Sequence, residues 1–275
     1  MANGSKVAVV TGGTRGLGRD IADALHGAGW HVVRASRSGP APRTWPPTGD
    51  DAEPRKRGGD DAGPWAQGGD DAEPWTRDGD AKDRFLPVDV RDPVSVRALL
   101  HAVREEFGGF DLLVANAGIS RPGPVAALAP DSWEDVVQTN LTGVFHCVQA
   151  AIPYLERSAD GRIITVSSVL GSRPVPGAAA YAAAKSAVET FSKVAALELA
   201  PAGITVNCLS PGFIDAGMGR ELAANRDVWP AFEGKLALGR MGTGDEVARA
   251  ALFLAGADSS YVNGHVLEVN GGLRW

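Results

Sequence analysis

Residues 6–29, KVAVVTGGTRGLGRDIADALHGAG, decide the fold. An apolar run, KVAVVT, ends in a glycine-rich turn, TGGTRGLG (Thr11–Gly18), and passes at once into a segment with helical spacing. Glycine permits the tight turn and lets a pyrophosphate approach the backbone, where N–H groups at a helix start receive it. A glycine-rich loop by itself also fits an ordinary strand-to-helix turn. Its place after the first strand and before a helix gives it weight.

The same alternation continues along the chain. WHVVRAS, RFLPVD, FDLLVAN, GRIITVS, ITVNCLS and HVLEVN read as further strands, with helical spacing in SVRALLHAVREEF and SAVETFSKVAALELA. Asp92-Pro93 opens one of these helices, a capping carboxylate followed by proline at the first helical position. Strands that are nearly continuously apolar and alternate with helices predict a parallel sheet covered on both faces. The expected fold is α/β, a doubly wound sheet of seven parallel strands (a Rossmann fold), with ligands at the carboxyl ends of the strands. The 275 residues fit a single domain over 1–275.

Composition narrows the function classes. No run approaches the ~20 apolar residues that cross a bilayer, and residues 1–13 lack the pattern of a signal peptide, so a cytoplasmic protein with no membrane partner is expected. The net charge of −6 comes without a basic patch, which argues against nucleic acid. Cys147 and Cys208 stand apart with no metal spacing, and read as small core side chains in a reducing compartment. No metal is expected.

Residues 38–83, between the second and third strands, break the rhythm. GDD recurs at 49, 59 and 69, opening three decapeptides within GDDAEPRKRGGDDAGPWAQGGDDAEPW. The segment has no periodic apolar face and no convincing helix, and reads as an irregular, low-complexity insertion. Paired aspartates lack the ligand density and defined loop of a calcium hand. A flexible solvated insert is the favoured reading, with partner binding as the alternative.

The spacing TGxxxGxG resembles the nucleotide-binding motif of the short-chain dehydrogenase/reductase family. ANAG (Ala115–Gly118) resembles its NNAG motif, with Ala115 replacing the first Asn. YAAAK places Tyr181 and Lys185 four apart on one helix face. Ser168, thirteen residues upstream, and Asn140 in VVQTNLTGVF complete the family's Asn-Ser-Tyr-Lys set. SPGFIDAGM matches its PG segment. The resemblance covers nearly the whole chain outside the repeat, and among family members is nearest to 3-oxoacyl-carrier-protein reductases and related ketoreductases. Against their usual spacing, the 52 residues from Arg37 to Asp89 hold an excess of about three decapeptides beside the adenosine end of the cofactor.

The resemblance implies a cofactor cradle of Gly12, Thr14, Arg15, Gly16, Leu17 and Gly18. It places adenine at Asp89 and Val90, and Asn116, Ala117 and Gly118 beneath the cofactor. Pro211, Gly212 and Ile214 fall beside the nicotinamide. Ala216 stands where the family commonly has a Thr that bonds the carboxamide, which leaves Ile214 backbone groups for that task. An NAD enzyme usually ends its second strand with an acid for the ribose. Here Ser36 and Arg37 stand there, with Arg15 in the loop. A charge-assisted hydrogen bond to a 2′-phosphate contributes roughly 1.5–3 kcal/mol, about ten- to a hundredfold in affinity. NADP(H) is the expected cofactor.

The residue types suit carbonyl reduction. A free phenol titrates near pH ~10, too high for easy proton exchange at neutrality. Tyr181 is the expected general acid, with the Lys185 ammonium lowering its pKa. Ser168 bonds the substrate oxygen, and Lys185 also holds the nicotinamide ribose. By resemblance, Asn140 anchors a water that links Lys185 to solvent.

The substrate is expected to be a small ketone or its alcohol. SRPGPV, VLGSRPVPG and a lid from Phe213 should shape the pocket. Met218, Trp229 and Phe232 are candidates for an apolar cover or for ordinary packing. Arg121 and Arg173 are candidates for an anionic substrate or plain loop arginines. AALELAPAG, after the Tyr/Lys pair, has no Arg to meet an acidic carrier, which weakens a 3-oxoacyl-carrier-protein role. A cofactor-binding scaffold that recruits partners through the repeat predicts a damaged set of four, and the four are intact. The family resemblance implies a homotetramer through the helices carrying Asn140 and Tyr181.

Overall fold

The computed structural model describes residues 6–38, 75–77, 80–226 and 228–274. These hold one sheet made of β1 (Val7–Thr11), β2 (His31–Ser36), β3 (Trp75–Arg77), β4 (Asp80–Pro87), β5 (Leu112–Ala115), β6 (Arg162–Val166), β7 (Thr205–Pro211) and β8 (Val266–Val269). Its order is β3-β4-β2-β1-β5-β6-β7-β8. The seven expected strands are present and all run parallel. From β1 the chain goes first to one side and later returns to the other, so the switch point lies between β1 and β5.

The helices are α1 (Gly16–Gly27), α2 (Pro93–Phe107), α3 (Pro130–Val137), α4 (Gly143–Leu155), α5 (Val169–Ser172), α6 (Ala179–Leu199), α7 (Gly217–Ala223), α8 (Pro230–Glu233) and α9 (Gly244–Ala255). Alternate strand residues face opposite layers. Val7 and Val9 join Leu100, Val148 and Val188, from α2, α4 and α6, in one core. Ala8 and Val10 join Ile21, Leu25, Val247 and Leu254, from α1 and α9, in the other. Each such side chain contributes about 1.5–3 kcal/mol on full burial. Asp92 caps α2 as its sequence predicts, accepting a bond of 2.8 Å from the Val94 N–H.

Two departures fall at the repeat. Trp75–Arg77 form an eighth strand, antiparallel to β4, where an irregular insertion is expected. β4 begins at Asp80, not after Asp83, and Asp83 is buried beside Arg34 of β2. The polar run DAKD, residues 80–83, hides the start of β4 because Ala81 is its only apolar residue. The rest of the decapeptide repeat lies outside the described residues.

Deleting residues 49–78 would strip β3 from the edge of β4 and expose unpaired backbone groups. Deletion of 49–74, which spares β3, is expected to leave ketone reduction intact and NADPH affinity little changed. A collapse of turnover in that variant would make the repeat part of the catalytic unit.

Candidate active site

The glycine-rich turn is a cradle that side chains would fill. Gly12 and Gly16 have positive φ, 67° and 53°. A Cβ on Gly18 would lie 2.3 Å from both the Gly12 carbonyl oxygen and Asn116 Nδ2. α1 starts from Arg15 with no side-chain cap and no acid in its first turn. The positive end of the helix dipole therefore faces the cradle without a built-in anion, which suits a pyrophosphate. Leu17 packs against the α1 side core.

Thr14 and Ser36 hydroxyls meet at 3.0 Å, which joins the loop to the end of β2. Arg15 and Arg37 flank this pair and are exposed. The donor set fits a 2′-phosphate: two guanidinium groups and two hydroxyls, with no acid at the end of β2. After β4, the expected adenine contact Asp89 is held by Arg91, with contacts of 2.6 and 3.0 Å. That guanidinium, with a smaller contribution from Arg37, keeps the Asp89 carboxyl below its ordinary range. Val90 is buried, and its carbonyl accepts a bond from His146 Nδ1 at 3.0 Å.

Asn116 braces the switch point. Its Nδ2 donates to the Thr11 carbonyl at 3.0 Å, and the N–H groups of Asn116 and Ala117 donate to the Thr11 hydroxyl at 3.1 and 3.2 Å. Ala115, in place of the first motif Asn, points into the core.

The catalytic candidates come together at the carboxyl end of β6. Ser168 caps α5 through a bond of 3.2 Å from Leu170 N–H, and its hydroxyl acts on Tyr181 to favour the phenolate. Lys185 is 3% exposed, donates to the Val166 carbonyl at 2.7 Å and lies 5.7 Å from the centre of the Tyr181 ring. Asn140 is fully buried in a π-helical turn, Gln138–Thr142, that joins α3 to α4. Its side-chain amide makes two 2.9 Å bonds to Ile119, one from the N–H and one to the carbonyl. A Cβ on Gly118 would come within 3.3 Å of Asn140 Oδ1 and 3.6 Å of Lys185 Nζ, so this glycine keeps the space between them open.

The electrostatics differ from expectation at Tyr181. Burial raises its pKa above the ordinary phenol value, and only the Ser168 hydrogen bond pulls the other way. Burial outweighs any pull from Lys185, whose ammonium also bonds the Val166 carbonyl. Burial also pushes Lys185 down from 10.5 to about 8.

The lid begins where β7 ends, at Pro211. Gly212 donates to the Val269 carbonyl at 2.9 Å, and a Cβ there would strike Asn270 Cα at 2.7 Å. Ile214 bridges Gly242, buries its side chain in the core, and accepts from Ala216 N–H at 2.7 Å. Its carbonyl is thus already bonded within the turn. Phe213, Phe232 and Leu273 form a separate apolar cluster with Trp229 against it. Phe232 is a packing residue and Met218 is exposed. Both candidate anion-binding arginines already have carboxylate partners, Arg173 with Glu268 at 2.7 Å and Arg121 with Asp135 at 3.4 Å.

Sequence reasoning missed the π turn, the contact of Gly217 with Gly16, and the buried Arg34–Asp83 pair. Only the last left a signal, a charge inside an otherwise apolar strand.

A family model described as enoyl-(acyl carrier protein) reductase matches residues 66–274. The 3-oxoacyl-acyl-carrier-protein reductase FabG of Salmonella typhimurium is 36% identical over 268 residues, which cover 98% of this chain and 97% of the relative. Its counterpart from Escherichia coli is 35% identical with the same coverage. Among solved structures, ligand-free aldohexose dehydrogenase (AldT) of Thermoplasma acidophilum matches with a TM-score of 0.79 at 29% identity, covering 98% of this chain and 94% of that one.

Lys185 carries a stability consequence. Between about pH 8 and 10.5 the unfolded chain binds a proton that the folded chain has lost, so its contribution to stability rises with pH through that window. At pH 7 its burial is a cost. Lys185→Met is therefore expected to raise stability at pH 7 by on the order of 1–3 kcal/mol in urea unfolding. A destabilised variant would contradict the assignment.

Proposed function

The chain belongs to the short-chain dehydrogenase/reductase family, and from that premise we propose that it is an NADP(H)-dependent ketoreductase acting on a small-molecule ketone or its alcohol. The observation that carries this reading is the convergence of Ser168, at the end of β6, with Tyr181 and the buried Lys185 of α6, whose Nζ lies 5.7 Å from the centre of the Tyr181 ring. Bound NADPH supplies the hydride that the carbonyl carbon receives. Tyr181 gives its phenolic proton to the carbonyl oxygen, and Ser168 donates a hydrogen bond that fixes that oxygen. As the phenolate forms, the Lys185 ammonium, 5.7 Å from the ring centre, is the cation placed to stabilise it against the desolvation that raises Tyr181, and Asn140 holds the Ile119 turn beside Gly118. In the oxidative direction the same phenolate takes the proton back.

Gly12, Gly16 and Gly18 make room for the pyrophosphate, with Thr14 and Leu17 shaping the loop. Ser36, Arg15 and Arg37 select the 2′-phosphate. Asp89 and Val90 border the adenine. Asn116, Ala117 and Gly118 floor the site, and Pro211, Gly212 and Ile214 wall the nicotinamide end. A single catalytic domain spans 1–275 and carries the repeat as an insertion. A 3-oxoacyl-acyl-carrier-protein substrate is the second reading, favoured by the curated relatives. The exposed part of α6 offers Val194 and Leu197 beside Lys193 and Glu198, with no arginine. With Phe145 of α4, Val194 and Leu197 suit the packing of copies into a homotetramer. No helix among the described residues is long and apolar enough to cross a membrane, and both described cysteines are buried free thiols, consistent with a cytoplasmic site of action.

A panel of ketones, a 3-oxoacyl thioester and an enoyl thioester, followed by NADPH absorbance, tests the reaction. Tyr181→Phe is expected to lower ketone reduction by about 10²–10⁴ with NADPH binding retained; unchanged turnover would sink the mechanism. Because Lys185 loses its charge above about pH 8, kcat/KM for reduction should fall on the alkaline side with a midpoint near that value. Arg37→Ala should cut the preference for NADPH over NADH by about ten- to a hundredfold. An unaltered preference places the 2′-phosphate elsewhere. Sedimentation should give a four-chain mass, and a monomer refutes the tetramer.

A further inference from the structure

Arg34 sits in the middle of β2 and is 3% exposed. A cation there is costly to bury unless its donors are matched. Its Nε and Nη2 form a fork on Asp83 of β4, at 2.6 and 2.9 Å, and Asp83 is fully buried. Nη2 also reaches Asp23 of α1 at 2.8 Å. The remaining arm, Nη1, donates at 3.3 Å to the carbonyl of Gly13, inside the glycine-rich turn. One planar group thus ties four pieces together: β2, β4, the first helix and the loop before it.

A second observation points the same way. A Cβ on Gly13 would lie 3.3 Å from both Cα and Cβ of Arg34 and 2.8 Å from the Val10 carbonyl. The loop rests directly on Arg34. One residue earlier, the Gly12 N–H donates to the Ala35 carbonyl at 2.7 Å. The loop is therefore fastened to β2 at two successive residues, Gly12 through backbone and Gly13 through the Arg34 side chain, with the Thr14–Ser36 contact beyond them. Asp83 lies at the exit of the repeat, on the strand that resumes the sheet.

We propose that Arg34 is a positioning residue for the cofactor, holding the glycine-rich loop in its phosphate-receiving shape through Gly13 while Asp83 and Asp23 fix the guanidinium. The loop's N–H groups must converge on one point to bind an anion, and a floor that fixes the Gly13 peptide keeps them aimed. A fork-shaped donor does this where a single ammonium does not, since Lys offers no planar arm for the Gly13 carbonyl while its others hold Asp83. The inference rests on reading the loop as the NADPH cradle.

The test is fluorescence titration of full-length protein with NADPH, paired with kcat and KM for a ketone. Arg34→Lys keeps a positive charge for Asp83 and Asp23 but loses the fork. It should raise the NADPH Kd by about fivefold or more, with kcat at saturating NADPH changed less than about twofold and the ketone KM unmoved. Arg34→Met combined with Asp83→Leu removes both charges together and avoids a stranded carboxylate; it should weaken NADPH at least as much. Wild-type protein that fails to bind NADPH overturns the cradle reading itself. Wild-type binding with an unchanged Kd in Arg34→Lys overturns the positioning role alone, as does a loss confined to kcat.

Discussion

The structure depends on one close backbone approach, where the turn after β1 crosses the turn after β5. Asn116 reaches across the switch point to the carbonyls of Thr11 and Gly12, at 3.0 and 3.4 Å. Any side chain at Gly12 or Gly18 would collide with that amide, at 2.8 and 2.3 Å. This contact fixes where α1 begins and aims its N-terminus at the crevice. It also sets the height of β5, from which Ile119 is delivered to Asn140. The glycine-rich loop and the Ile119–Asn140 contact are thus built outward from a single crossing of two segments.

Burial is the second governing quantity, and it acts against charge. On α6, Lys185 is buried and Tyr181 half-buried, and desolvation pushes each toward its neutral form. A neutral phenol is the form that can give up a proton, which suits reduction. A lysine brought to about 8 remains mostly charged at neutrality yet sits close to losing that charge. The sequence-level idea that lysine simply lowers the tyrosine omits the competing desolvation, which is the larger influence in this arrangement.

Much of this was legible from the residues. Seven strands announce themselves because parallel strands are buried on both faces and so read as unbroken apolar runs. Gly12, Gly16 and Gly18, and the Ser168, Tyr181, Lys185 spacing, are short-range patterns that survive in one dimension. What stayed hidden is set by tertiary context. β3, Trp75–Arg77, is an edge strand of three residues, too short to show a periodic pattern. The π turn at Asn140 arises where its side chain bonds a backbone segment 21 residues upstream. Arg121 and Arg173 look available in the sequence, and only the fold brings Asp135 and Glu268 to them.

The central claim is that burial beside the end of β6 sets the protonation of Tyr181 and Lys185, the proposed catalytic pair. Heteronuclear NMR of the lysine side chains, with the Lys185 signal assigned by its loss in Lys185→Met, reads that directly. The account predicts one lysine with a midpoint about 8. A Lys185 midpoint at the ordinary 10.5 would contradict it.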